Sequence, residues 1–238
     1  MRLDEVWDAQ AEEWTRFVRD PHADRTNRLF NLPRFLDLLP PPPRRALDLG
    51  CGEGRLGAEL RRRGDAVVGV DSSPGMVAAA EDRIDAVVAD AAALPFADAT
   101  FDLVAAFMSL QDMDDLDGAV AEAARVLEHG GRLCFNVLHP IAEAGRFDSR
   151  EPDSPFTVRG SYYECARVDD LLERDGFRLS LSRLRRPLEA YARALEAAGF
   201  LIEALREPAP PAEWLALAPS TYRWDRIPLF LHVSAVRL

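Results

Sequence analysis

The sequence predicts an α/β fold of alternating strands and helices, and three observations carry that prediction. Residues 46–60, ALDLGCGEGRLGAEL, pass from a short apolar segment through glycines at 50, 52 and 54 to Leu56 and Leu60 at helical spacing, which reads as strand, tight turn and helix. Aspartates then follow the next two apolar segments, Asp71 after residues 66–70 and Asp90 after residues 86–89. Residues 101–107, FDLVAAF, have the composition of a strand covered on both faces of its sheet.

Composition narrows the class. The 238 residues suffice for one domain with additions, and 48% hydrophobic and 29% charged residues are ordinary for a globular chain. No apolar run reaches the length of a membrane span, and the start MRLDEVWDAQ has no apolar signal region, so the expected location is cytoplasmic with no membrane partner. A net charge of −11 argues against a nucleic-acid partner, because such binding rests on neutralising phosphates. The arginines within residues 61–63 and 183–186 read as solvated faces. All 29 basic side chains are arginine, which excludes a lysine Schiff base and a phosphate-loop lysine. Cys51, Cys134 and Cys165 are isolated, and His22, His129, His139 and His232 are scattered, so no disulfide framework or metal site is expected.

The glycine turn is not that of a dinucleotide site. In Asp48-Leu49-Gly50-Cys51-Gly52-Glu53-Gly54 the third glycine comes one residue earlier than in G-x-G-x-x-G. Asp48 and Glu53 would repel a pyrophosphate but suit a ligand ammonium, and a ligand carboxylate is expected to use the turn's N–H groups.

The segment D-L-G-C-G-E-G resembles the first motif of class I S-adenosylmethionine-dependent methyltransferases. The D-A step at Asp90-Ala91, the phrase L-P-F-x-x-x-x-F-D-L-V from Leu94, and Arg125-Val126-Leu127 before Gly130-Gly131 extend the resemblance. It implies a Rossmann-like seven-stranded mixed sheet, last strand antiparallel, with helices on both faces, an N-terminal helical extension and an insertion after strand 5. It implies S-adenosyl-L-methionine as cofactor, with Asp48 near its ammonium, and contacts from Trp14, Gly50, Cys51, Gly52, Asp71, Ser72, Met76, Asp90, Ala91 and Phe107.

In chain order, Trp7, Ala11, Trp14 and Val18 share one helical face, which either packs on the domain or lets Trp14 close the pocket. A helix over residues 26–39 ends at the prolines from 40 to 43. The helix after the glycine turn stops at Gly64. Asp71, about twenty residues beyond that turn, suits the ribose hydroxyls of an adenosine ligand, or caps the next helix. Ser72 or Ser73 caps that helix, Pro74 occupies its first turn, and Met76, Val77, Ala80 and Ile84 face inward. The fourth strand opens into residues 108–115, where substrate and cofactor should meet. The resembling family often shows two histidines where Gln111 and Asp112 stand here.

A helix over residues 116–127 closes at Gly130-Gly131, with the fifth strand at 132–138. Residues 141–186 form a substrate-lid insertion, read as a loop at 145–155 and two strands, one at Tyr162-Tyr163-Glu164 and one through Phe177, Leu179 and Leu181. A helix from Pro187 to Gly199 and strands at 200–205 and 229–236 complete the sheet, joined by a surface crossing that holds Trp214. The domain reading is thus 1–45 cap and linker, 46–140 cofactor core, 141–186 lid and 187–238 completion.

The expected activity is methyl transfer to a small-molecule acceptor through an O, N or C nucleophile, dominated by positioning. A non-catalytic cofactor-binding or scaffold domain and a protein methyltransferase are the alternatives, and homo-oligomerisation is left open. His139, at the fifth strand's exit, is read either as a general base or as a structural hydrogen-bonding residue. Asp112 and Tyr163 are the further catalytic candidates, and no metal is expected.

Overall fold

The computed structural model describes residues 2–174 and 176–238. Helices α1 (Leu3–Ala9) and α2 (Ala11–Arg19) lead to a π-helical turn at Asn27–Asn31 and α3 (Leu32–Leu36). Then come β1 (Arg45–Leu49), α4 (Arg55–Arg63), β2 (Ala66–Asp71), α5 (Pro74–Ala80), β3 (Asp85–Val88), β4 (Phe101–Phe107), α6 (Leu116–Val126) and β5 (Leu127–Leu138). The insertion holds α7 (Pro140–Glu143), β6 (Gly145–Phe147), β7 (Phe156–Val158), β8 (Ala166–Arg174) and β9 (Phe177–Arg185). The chain ends with α8 (Leu188–Ala197), β10 (Phe200–Arg206), α9 (Ala212–Leu215) and β11 (Phe230–Arg237).

Seven strands form one sheet in the order β10-β11-β5-β4-β1-β2-β3. β1 to β5 are parallel, while β11 runs antiparallel to both β5 and β10. Alternation along β1 sends side chains to opposite faces. Leu47 and Leu49 pack towards α6 and α8, and Ala46 packs with Leu32, Phe35, Leu56 and Leu60 of α3 and α4. With both faces covered, β4 buries five of its seven residues, as its composition predicts.

Several elements differ from the sequence reading. The expected first helix is broken at Gln10, and α1 and α2 meet through Trp7 and Trp14, edge to face at 5.2 Å. The Gly130-Gly131 pair lies inside β5, since α6 already stops at Val126. Gly130, at φ 82°, lies in a stretch of β5 where pairing with β4 shifts register. Tyr162-Tyr163-Glu164 is a turn, and the true partner of β9 is β8, whose sequence ARVDDLLER lacks clean alternation. Trp214 lies on a short helix, buried against Phe30, which also meets Phe230 edge to face at 5.3 Å. No helix among the described residues is long and apolar enough to cross a membrane.

Candidate functional site

The carboxyl ends of β1 to β4 open on a cavity of about 620 Å³, within the size range of small-ligand sites. Gly50 leaves β1 at φ 70°, and a Cβ there would lie 2.5 Å from the Ser109 Cβ, so glycine is required by conformation and by space. The Ser109 hydroxyl donates to the Leu49 carbonyl at 2.6 Å, tying the exits of β1 and β4 together.

Four of the turn's N–H groups are spent internally. Gly50 N and Cys51 N donate to the Val70 carbonyl at 2.8 and 2.9 Å, Gly52 N donates to Asp71 Oδ2 at 2.9 Å, and Gly54 N donates to the Cys51 carbonyl. These four amides are therefore not free for a ligand carboxylate, which narrows the expectation from sequence. The bare Gly52 backbone and the surrounding acids remain to face a ligand.

Asp48 accepts from Gly57 N at 2.8 Å and is 1% exposed. Burial pushes its carboxyl up to about 8 against the pull of that hydrogen bond, and nearby Glu53 and Asp71 add to the rise. Asp71 is also raised by burial, opposed by its bonds from Ser73 N and Gly52 N. A carboxylate oxygen with one such bond keeps a lone pair for a further donor. Asp90 is exposed, accepts from Ala92 N at 2.9 Å and lies 4.0 Å from Arg2.

All three acids line the same cavity, as do Trp14, Gly50, Cys51, Gly52, Ser72, Met76, Ala91, Phe107 and Asp112. The Cys51 thiol is pushed up by burial and by the surrounding acids, so it stays protonated. Of the two candidate caps for α5, Ser73 is the residue that accepts from Met76 N.

Sequence reasoning missed what holds the N-terminal helices over this cavity. Asp8 accepts from the Ser73 hydroxyl at 2.6 Å and from Gly75 N at 2.9 Å, joining α1 to the start of α5. The Gln10 amide donates to the Ser180 carbonyl at 2.6 Å and its oxygen accepts from Ser180 N at 3.0 Å, joining the same helices to β9. The β8–β9 hairpin thereby brings Leu172, Leu181, Ser182 and Arg183 into the cavity wall.

Asp112 ends a 3-10 turn over Leu110–Asp112, between Gln111, whose side chain accepts from Leu138 N at 2.7 Å, and the lid strand. Its carboxylate accepts no hydrogen bond among the described residues. Burial raises it well above the usual range, with Arg183 across space pulling the other way. Arg183 is itself held by Glu143 and Asp170, each at 2.7 Å.

Two candidates lie elsewhere. His139 does not line the cavity: Nδ1 accepts from Ile141 N at 3.1 Å, capping α7, and Nε2 meets Glu207 at 2.8 Å. Burial lowers its basicity, with Glu207 opposing. Tyr163 is 80% exposed on a turn and does not line the cavity either, whereas the Tyr162 hydroxyl accepts from Leu188 N.

Fold and site together define an α/β domain that holds an adenosine-type ligand across the carboxyl ends of its parallel strands. Residues 47–135 match the family model described as a methyltransferase domain, and this core is a class I S-adenosylmethionine-dependent methyltransferase domain, whose cofactor is S-adenosylmethionine. The chain is 36% identical over 157 residues to a malonyl-[acyl-carrier protein] O-methyltransferase of Methylovorus sp. strain MP688, covering 60% of this chain and 53% of that protein. It is 38% identical over 130 residues to a demethylmenaquinone methyltransferase of Thermus thermophilus, covering 48% and 59%. The chain thus spans little more than half the length of these relatives. Among solved structures, an S-adenosylmethionine-dependent methyltransferase from Mesorhizobium loti superposes with a TM-score of 0.70 at 26% identity, over 86% of this chain and 96% of that one. The [4+2]-cyclase SpnF shares the fold at a TM-score of 0.63 and 21% identity, over 99% and 94%.

Proposed function

We propose that this protein transfers a methyl group from S-adenosylmethionine to a small-molecule acceptor. One observation carries the reading: Asp48, Asp71 and Asp90, from three successive strand exits, line a single cavity that continues past them to Asp112 and the lid hairpin. A domain that only bound the cofactor would not need that further part of the cavity, the acceptor chamber. Residues 141–186 serve as the lid in this reading, and both named curated relatives are methyltransferases.

The donor set suits the cofactor. Asp71 is assigned the ribose hydroxyls and Asp90-Ala91 the adenine edge. Asp48 acts on the ammonium through the field of a buried carboxylate, while Gly50, Cys51, Gly52, Ser72, Met76 and Phe107 shape the walls and Trp14 covers them.

When bound, S-adenosylmethionine supplies a methyl group on a positively charged sulfur. The chain has to hold the acceptor in line, keep water out and take up a proton where the acceptor carries one. Asp112 is assigned that proton, because its carboxylate faces the chamber and burial raises its basicity. His139 and Tyr163 drop out of the assignment. Calorimetric titration with S-adenosylmethionine, S-adenosylhomocysteine and NADH tests the cofactor reading. Binding of the first two and not the third is expected, and preference for NADH overturns it.

A further inference from the structure

The acceptor chamber has a chemistry of its own. Asp112 presents a carboxylate with no hydrogen-bond partner among the described residues, and the nearby cation in the wall, Arg183, is already taken by Glu143 and Asp170. On the neighbouring wall Trp14 and Phe17 stand 5.8 Å apart, centroid to centroid, and pack with Leu172 and Leu181 of the lid. Strand β9 joins the two features, since Leu181 lies two residues from Arg183.

The whole cavity is lined by nine carboxylate side chains against three arginines. Even with Asp48 and Asp112 protonated the acids outnumber the arginines, and S-adenosylmethionine, with one net positive charge, leaves most of that excess uncompensated. An anionic acceptor would enter against this field, and Arg183 is already paired with Glu143 and Asp170. A cation gains from the acids and from the aromatic faces.

We propose that the methyl acceptor is an amphipathic amine, its apolar body against Trp14, Phe17, Leu172 and Leu181 and its nitrogen at Asp112. The inference rests on the methyl-transfer reading above and names the acceptor class for the same site. The ammonium gives a proton to the Asp112 carboxylate, and the freed nitrogen lone pair forms the new N–C bond. The methyl–sulfur bond breaks with its electron pair going to sulfur. The products are a methylated ammonium, neutral S-adenosylhomocysteine and a protonated Asp112, so charge and atoms balance.

The test uses the protein saturated with S-adenosylhomocysteine and three probes with one body and different heads: phenethylamine, 2-phenylethanol and 3-phenylpropionate. Calorimetry at pH 7.5 is expected to give amine binding at least about tenfold tighter than the alcohol, with no detectable binding of the carboxylate; tenfold corresponds to about 1.4 kcal/mol. Asp112→Asn is expected to erase the amine preference while S-adenosylhomocysteine affinity stays within about twofold. Equal or tighter binding of the alcohol or the carboxylate overturns the proposal, and so does binding of none of the three. A preference that survives in D112N overturns it too. Wild-type selectivity decides the matter alone if the variant does not fold. Failure of S-adenosylhomocysteine to bind the wild type is a separate result, and it removes the cofactor reading instead.

Discussion

Gly50 and Asp48 show how single residues set the cofactor end of the site. An alanine at position 50 must hold φ 70° and put its Cβ 2.5 Å from the Ser109 Cβ, against a hydroxyl that pins Leu49. Gly50→Ala is therefore expected to lower unfolding free energy by about 1–3 kcal/mol in urea titration and to weaken S-adenosylhomocysteine binding at the same time. Asp48 makes a different prediction. With its carboxyl pushed up to about 8, it is mostly protonated at pH 7 in the free protein, and a cationic ligand beside it favours the charged form. Binding of S-adenosylmethionine near pH 7 should release a proton, seen as a calorimetric enthalpy that differs between phosphate and Tris buffers. Asp48→Asn should abolish that buffer dependence.

At the scale of elements, contacts that no motif announces hold the site together. Asp8 gives α5 a second cap from a neighbouring helix, so Asp8→Ala is expected to cost about 1 kcal/mol and to speed amide exchange in residues 3–19 and 74–80. Arg186, at the junction of the lid and α8, is 8% exposed and donates to the carbonyls of Leu110, Met113 and Asp114. Replacing it with methionine leaves those carbonyls without their donor, a loss of about 1–3 kcal/mol. The damage falls on the Asp112 turn, so S-adenosylhomocysteine affinity in R186M should hold within about twofold while phenethylamine binding is lost.

What could be read from sequence follows the same division. The glycine turn, Asp71, Asp90 and β4 are local signals, fixed by period and turn chemistry within a few residues. The lid was only partly readable, because β8 draws its strand character from β9 and its DDLL segment has no alternation of its own. His139 misled for the opposite reason. A histidine at a strand exit looks reactive until Ile141 N and Glu207, the latter 68 residues away in sequence, occupy both ring nitrogens. Trp214 likewise reads as a surface residue until Phe30, from the N-terminal extension, covers it.

Across the whole molecule, two buried titratable groups oppose each other. On the β5–β11 side Asn31, from the π-helical turn, accepts from Asn136 at 2.7 Å and meets His232 Nε2 at 2.8 Å, while Asn136 accepts from Met108 N. Burial pushes His232 down to about 4, with a backbone hydrogen bond to Arg34 opposing. A depressed folded value means that its stabilisation is complete above about 6.5, the unfolded value, and is lost as pH falls towards 4, a change of about 3 kcal/mol. Asp48 has the opposite sign: its raised folded value makes the free protein most stable below about 3.9 and progressively less stable as pH rises to about 8. Between pH 4 and 6.5 the slopes of His232 and Asp48 oppose, and above 6.5 the His232 contribution is constant while the Asp48 decline continues, with the raised Asp71 and Asp112 acting in the same direction. Urea unfolding of the free protein across pH 4–8 should separate them. His232→Gln should steepen the fall of stability with rising pH between 4 and 6.5, because the histidine no longer offsets the aspartate. Asp48→Asn should make the limb from 6.5 to 8 shallower, leaving only the contribution of the other raised acids. Saturating S-adenosylmethionine should flatten the same upper limb in the wild type, since a cation beside Asp48 lowers its proton affinity. An upper limb unchanged by D48N would mean that the buried acid at the end of β1 is already ionised in the free protein, and that the glycine turn stabilises its charge without a ligand.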